Sequence, residues 1–350
     1  MKTILWILVI LLVLAGGTAV YLFSQYNSKL EPVNPAATET FKLVEIPQGY
    51  GSEAIGKLLC DEGLIQNELA FRIFLRQSGL GQGFKAGRYN LSPSMSIEEI
   101  AQKLERGEVY SETSWFTIPE GYSIIDIATR LSDSSLVDHD TFLQMAQNPP
   151  ADLVADYSFL GQVNNPEIDY LLEGYLFPDT YEVYSDAGEE AIIRLMLNRM
   201  LQVIDEQEQA RIADMGWTVH DILTLASIVE REARVDHERP LIAGVFMNRL
   251  QIGQRLESCA TIQYILGETK EFLTNQDLQL PSPYNTYQHA GLPPGPIAAP
   301  GEASVMAVLY PEHSDYYFFN YKYDGTGEHY FSITLEEHNA NVARAEANLE

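Results

Sequence analysis

Basic residues are scarce in this chain: 22 lysines and arginines stand against 49 aspartates and glutamates, for a net charge of −27 over 350 residues. That balance argues against a nucleic-acid partner, whose phosphates it would repel, and against a basic patch for anionic lipid. Cysteine is scarcer still. Cys60 and Cys259 are too few for a disulfide scaffold and lack zinc-ligand spacing. One bridge between them or two unpaired thiols both fit, and neither is expected to be a nucleophile. The chain has no His-Glu-x-x-His zinc site, phosphate loop or nucleophile elbow, so no cofactor and no metal is expected. Long apolar runs are absent after the first.

That first run is residues 4–23, ILWILVILLVLAGGTAVYLF, without a charge. It matches the roughly 20 residues a helix needs to cross a bilayer core. A cleaved signal peptide is the alternative, with Gly17-Thr18-Ala19 as its cleavage site. The run's length and its continuation through Tyr21-Leu-Phe23 favour a retained single-pass anchor. Lys2 precedes it, which places the amino end in the cytoplasm and the rest of the chain outside the cytoplasmic membrane. Uncharged sugar polymers, held by hydrogen bonds and ring stacking, suit so acidic a surface.

The expected organisation is an anchor over residues 1–25, a linker over 26–40, a strand–helix repeat region over 41–148 and a larger domain over 149–350. The linker is polar and carries Pro32 and Pro35. The repeat is visible directly. Val44-Glu-Ile-Pro-Gln-Gly-Tyr50 with Ile55 and Leu59 returns 72 residues later as Phe116-Thr-Ile-Pro-Glu-Gly-Tyr122 with Ile127 and Leu131. Each copy predicts a short strand, a turn and an amphipathic helix, and resembles LysM-like cell-wall modules. Further on, a helix is expected over residues 189–213. Another follows Thr218, with Asp221 three residues on as a capping box, and a third opens at Pro240. Residues 281–301 are too rich in proline and glycine for regular structure. Asp324-Gly-Thr-Gly327 predicts a hairpin turn, and Thr334 with Glu337 the cap of a last helix bearing His338.

Glu230 falls on the helix that starts at Thr218. Leu223, Ala226 and Ser227 share its stripe, whereas Glu232 is turned about 200° away, toward the expected outer face. A carboxyl against apolar surface is suited to hold a proton near neutrality and still release it, as a general acid must. An exposed Glu230–Arg234 pair is the alternative that periodicity leaves open.

Several longer strings carry a resemblance. Ala226-Ser-Ile-Val-Glu-Arg-Glu232, Val245-Phe-Met-Asn-Arg-Leu250, Leu256-Glu-Ser-Cys-Ala-Thr-Ile-Gln-Tyr264 and Ser282-Pro-Tyr-Asn-Thr-Tyr287 are similar to the YceG-like endolytic murein transglycosylases. So are Gly291-Leu-Pro-Pro-Gly-Pro-Ile297, Glu173-Gly-Tyr-Leu-Phe-Pro-Asp-Thr-Tyr181 and Glu337-His-Asn339, in order along the chain. Many members have Asp-Pro where this chain has Cys259-Ala260. The resemblance implies an α+β fold: one transmembrane helix, LysM-like modules, then a mixed α/β catalytic domain with a terminal hairpin and helix. It implies a lyase that cuts the MurNAc-β-1,4-GlcNAc bond of nascent peptidoglycan strands, ending their elongation, beside penicillin-binding synthases. Glu230 maps to the catalytic glutamate. Gln263, Tyr264, Ser282, Tyr284, Asn285, Thr286 and Tyr287 are the candidates for substrate contact, with packing of the proline loop as the alternative use of these groups. A hydrolase with Glu173 activating water, and a non-catalytic glycan-binding scaffold, are the rival readings.

Overall fold

The computed structural model describes residues 14, 16–18, 20–110, 112–163, 165–270 and 272–349. Most of the apolar run at 4–23, and with it the expected anchor, lies outside the described residues. Among those described, no helix is long and apolar enough to cross a membrane.

The chain forms two compact units, divided between Glu112 and Thr113. In the first, β1 (Lys42–Ile46) leads to α1 (Ser52–Asp61), α2 (Glu68–Ser78), β2 (Gly87–Leu91) and α3 (Ile97–Arg106). β1 and β2 pair antiparallel, with Val44 opposite Tyr89. Alternation along β1 sends Val44 and Ile46 inward, where they meet Ile55, Leu59, Phe71 and Leu104 from the helices. The Asn67 side chain caps α2, and Ser96 with Glu99 forms a reciprocal capping box on α3.

The second unit begins by repeating this plan. β3 (Thr113–Thr117) runs through a matching turn into α4 (Ile124–Asp133), then α5 (His139–Gln147) and α6 (Ala151–Asp156). Its antiparallel partner β4 (Thr180–Tyr184) comes only after a long aromatic segment, with Phe116 stacked on Tyr181 at 5.2 Å. The second copy therefore closes 30 or so residues beyond the expected 148/149 boundary and belongs to the larger unit. The reason is pairing: a strand needs a hydrogen-bonded neighbour, and periodicity reveals a strand without revealing which distant segment pairs with it.

α7 (Gly188–Val203), α8 (Glu206–Met215), α9 (Val219–Glu232), α10 (Arg239–Gln251), α11 (Cys259–Leu266) and α12 (Glu302–Leu309) follow. The single helix expected over 189–213 is thus two. The Asp205 carboxylate takes the backbone N–H of Gln207 at 2.7 Å and starts a new helix rather than continuing the old one. α9 is the centre of the unit. Every residue from Ile222 to Val229 is buried, so this helix has no solvent face over that stretch, and α10 and α12 pack against it. The expected Thr218–Asp221 capping box is present. The hairpin β5 (Phe318–Tyr321) and β6 (His329–Ser332) and a capped α13 (Leu335–Glu346) close the chain. With three two-stranded sheets among the helices of the described residues, the fold is α+β.

Candidate active site

α9 carries a polar line down one side. His220, Thr224, Ser227 and Glu230 recur at spacings of four and three, so they share a stripe. The proline-rich segment 291–301 lies along it as a strap. His220 Nε2 is 2.8 Å from the Pro294 carbonyl, which can only accept, so that nitrogen carries the hydrogen and Nδ1 accepts from the Tyr175 hydroxyl at 2.8 Å. Ser227 Oγ donates to the Thr224 carbonyl at 2.8 Å and accepts from Ile297 N at 3.0 Å. Glu230 Oε2 accepts from Gly301 N at 3.1 Å. A segment too irregular for secondary structure has its backbone satisfied by side chains of one helix.

At the end of the strap sits the Glu230 carboxyl. Oε2 also takes the Ser304 hydroxyl at 2.7 Å and pairs with Arg239 Nη1 at 3.1 Å. Arg239 Nη1 donates to Ser304 Oγ at 2.6 Å, and Nε reaches Asp236 Oδ1 at 3.2 Å. The ion pair is nearly dry: the Glu230 and Arg239 side chains are 7% and 10% exposed. Gly301 is the N-cap of α12, so the helix dipole adds to the positive field there. All these donors fall on one oxygen. Oε1 takes no hydrogen bond from the described residues. The Glu230–Arg234 alternative is not realised, since the Arg234 guanidinium lies 4.2 Å over the Tyr321 ring.

A second carboxyl stands beside the first. The turn of the second repeat copy pairs with the strap, through Gly121 N to the Ala299 carbonyl at 2.8 Å and Ala299 N to the Tyr122 carbonyl at 2.7 Å. Arg231 Nη1 fastens the Gly121 carbonyl at 3.0 Å. Glu120 is thereby pressed on Gly301, where an added Cβ would fall 1.9 Å from Glu120 Oε1. Partial burial raises the Glu120 pKa, the charges of Glu230 and Asp236 raise it further, and Arg239 opposes them. Among the described residues no group of three His, Cys, Asp or Glu is placed to hold a metal ion.

A model of the YceG-like family matches residues 44–344. The chain belongs to that family. It is 34% identical over 334 residues to the endolytic murein transglycosylase of Bacillus subtilis, covering 93% of this chain and 89% of that protein. The endolytic murein transglycosylase of Streptococcus pneumoniae is 32% identical, over 94% of this chain and 62% of its own length. A crystal structure of a putative YceG-like protein from Listeria monocytogenes superposes with a TM-score of 0.60 at 37% identity, covering 86% of this chain and 99% of that one.

In this YceG-like chain the residues expected to touch substrate lie on α11 and in the loop after it, three of them buried and four half-buried. Asn285 is 0% exposed, donates to the Leu278 and Leu280 carbonyls and accepts from Tyr287 N. Thr286, also buried, accepts from Ser258 N and meets Thr261 Oγ1. Both are struts of the 277–288 loop rather than open sugar contacts. Tyr284 is buried against Tyr264, with ring centroids 5.1 Å apart. The Gln263 amide donates to the Lys270 carbonyl, Ser282 Oγ accepts from Tyr284 N, and the Tyr287 hydroxyl lies 3.1 Å from Cys259 Sγ. Cys60 and Cys259 are free thiols. Glu232 does not face outward, because α9 is covered there too: its Oε1 accepts from Ser258 Oγ at 2.5 Å and Ala260 N at 3.4 Å, capping α11.

Glu173, the expected water-activating carboxylate of a hydrolase, is buried instead. Its two oxygens accept from Ile124 N at the start of α4, at 3.1 and 3.2 Å, and Oε2 meets the Tyr264 hydroxyl at 3.4 Å. Burial outweighs these bonds and pushes its pKa up to about 8. Burial therefore favours its protonated form at neutral pH. His329 is structural as well, giving its N–H and Nδ1 to the buried Glu238 carboxylate. Pattern reading missed Arg239, Ser304 and Glu120. A signal for Glu120 existed, in that the two repeat copies differ there, Gln48 against Glu120.

Proposed function

We propose that this chain is an endolytic murein transglycosylase with Glu230 as its acid/base. The observation that carries the reading is the Glu230 carboxyl, buried, held through one oxygen by Arg239, Ser304 and Gly301, and set at the end of the strap. The names of the two curated relatives point to the same reaction.

The chemistry is as follows. Glu230 gives its proton to the glycosidic oxygen between N-acetylmuramic acid and N-acetylglucosamine, and the C1–O bond breaks. The resulting carboxylate takes the proton of the muramyl C6 hydroxyl as that oxygen closes on C1. One carboxyl serves twice, no water is consumed, and the product is a 1,6-anhydromuramyl end. Ordinary glycoside hydrolases use two carboxylates instead. Glycan strands leaving a penicillin-binding synthase are the substrate in this reading, and their cleavage ends elongation. The charge-free run at 4–23 supports a membrane tether with the amino end inside, and the β1–α1–α2–β2 unit supports a LysM-like module that spaces or holds the glycan.

Purified chain incubated with uncrosslinked glycan strands, followed by mass spectrometry, tests the reaction and the residue together. Anhydromuramyl ends are expected, and Glu230→Gln abolishes them. Reducing ends bearing an added water would replace the lyase by a hydrolase. Undiminished cleavage by the variant would remove Glu230 from the chemistry.

A further inference from the structure

The two-stranded sheet of β3 and β4 buries one face only. Phe116, Tyr181 and Val183 point into the core, whereas Thr113, Trp115, Thr117, Thr180, Glu182 and Tyr184 are all exposed. Trp115 is 67% exposed and Tyr184 59%. Tryptophan is highly buried on average, so two large rings side by side on an open face call for an occupant. We propose that this outer face is a carbohydrate-binding platform, on which Trp115 and Tyr184 stack sugars of the glycan strand away from the bond that is cut. The identity of the polymer rests on the transglycosylase reading; the platform is a second surface that the reading does not assign.

Strand pairing sets the chemistry of the face. Trp115 stands opposite Glu182, Tyr184 opposite Thr113, and Thr117 opposite Thr180. Trp115 and Tyr184 therefore lie on a diagonal, about 7–8 Å apart at the backbone, within reach of one another as large rings. In the next row the Thr117 and Thr180 hydroxyls are 2.8 Å apart. A pyranose presents C–H bonds on its flat faces and hydroxyls around its rim. The negative faces of aromatic rings attract the first. Threonine hydroxyls and the Glu182 carboxylate can bond the second. No cation stands among the six residues, so the face lacks what a nucleic acid or an anionic lipid headgroup would need.

The repeat offers a comparison. On the corresponding face of β1 and β2, Leu43 takes the position of Trp115, and the facing pair Glu45 and Arg88 the positions of Thr117 and Thr180. A strand–helix unit of this plan is thus built without an outer tryptophan. The aromatic face belongs to the copy that reaches the site. β3 continues through Ile118-Pro-Glu-Gly121, and a Cβ on Gly121 would lie 3.9 Å from Glu230 Cγ. From Trp115 to Gly121 the chain spans at most about 22 Å. A polymer cut internally at Glu230 extends from it in both directions and can reach the platform, as a single sugar cannot.

The test begins with the full chain carrying Glu230→Gln, titrated with purified uncrosslinked glycan strands while tryptophan emission is followed. A sugar stacked on Trp115 shifts the emission of an exposed indole to shorter wavelength, and the same chain with Trp115→Phe added lacks that shift. With Glu230 in place, Trp115→Leu, which copies Leu43 of the first unit, and Tyr184→Thr each raise the KM for release of anhydromuramyl ends. The rise is about two- to tenfold, falls on KM rather than kcat, and grows with strand length. Trp115→Phe, which keeps a ring face, recovers part of the loss. Tyr184→Thr and Trp115→Phe keep the test open if Trp115→Leu lowers Tm. An unmoved emission, or a KM unmoved in both variants, overturns the proposal. So does a KM raised equally for strands of every length, which would reduce the rings to a part of the fold. An emission shift given by phosphatidylcholine vesicles and not by glycan would assign the face to a membrane, and one given by protein concentration alone to a second copy; either overturns the platform. Cleavage by Glu230→Gln, or reducing ends bearing an added water, is the separate result that sinks the parent reading and leaves the emission result standing.

Discussion

Replacing Arg239 by methionine removes the cation from a pair whose members are 10% and 7% exposed, with little change in volume. The loss is larger than that of a surface ion pair, because the Glu230 carboxylate stays behind in a nearly dry site with only Ser304 and Gly301 to answer it. Breaking one side of such a buried pair costs about 3–5 kcal/mol. The bond from Arg239 to Asp236 adds little, since Asp236 is 88% exposed. A unit of this size loses roughly 2–4 °C in Tm per kcal/mol, so the variant should melt about 6–20 °C lower. The decisive assay is a double-mutant cycle by urea denaturation with Glu230→Gln. Once the carboxylate is neutral, Arg239→Met no longer strands a charge, and the double variant should recover about 1–3 kcal/mol relative to the sum of the singles. Additivity to within about 0.5 kcal/mol would refute the reading of Arg239 as the counter-ion that makes a buried Glu230 tolerable.

Three further outcomes follow from the same site. Glu173, with its pKa raised from 4.5 to about 8, binds a proton in the folded chain that the unfolded chain releases, so its contribution is complete below about pH 4.5 and is lost as pH rises toward 8. Glu173→Gln, which has no charge to bury, should therefore gain stability relative to wild type between pH 5 and pH 8, by on the order of 2–4 kcal/mol; a pH-independent difference would mean the acid is not buried as described. Ser227→Ala strands the Ile297 N–H in a fully buried position and should cost about 1–3 kcal/mol and loosen the strap, read as faster amide exchange at Ile297. Gly174 adopts φ +76°, and a Cβ there would sit 2.3 Å from Pro296 Cβ. Gly174→Ala should destabilise by at least about 2 kcal/mol in thermal unfolding, and an unchanged Tm would show that the strap is not pressed on that turn.

Much of the local structure was legible because its causes are local. The capping boxes at Thr218–Asp221 and Thr334–Glu337 and the hairpin turn at 324–327 each depend on residues within one turn of chain. Glu230 became a candidate for a different reason: a long string resembling the YceG-like family carries it, and periodicity by itself left an exposed ion pair open. What periodicity described as an apolar face is in fact a polar stripe, His220, Thr224, Ser227 and Glu230, matched to the backbone of a loop 70 residues away. The helix expected over 189–213 broke at Asp205, where a side-chain cap competes with helix continuation.

The sequence by itself determined the acidic surface, the repeat, the order of helices and the candidacy of Glu230. Those follow from composition, short-range periodicity and motif. Tertiary structure decided which groups surround that glutamate. Arg239 lies nine residues along the chain from it, and Gly301 and Ser304 more than 70, while Glu120 comes from a repeat copy 110 residues upstream. It likewise decided that Asn285, Thr286 and Tyr284 face inward and that Glu173 is a buried acid with its pKa pushed up. A side chain's partners and hydration are set by whatever segments fold against it, and nothing in its own neighbourhood of sequence encodes that contact.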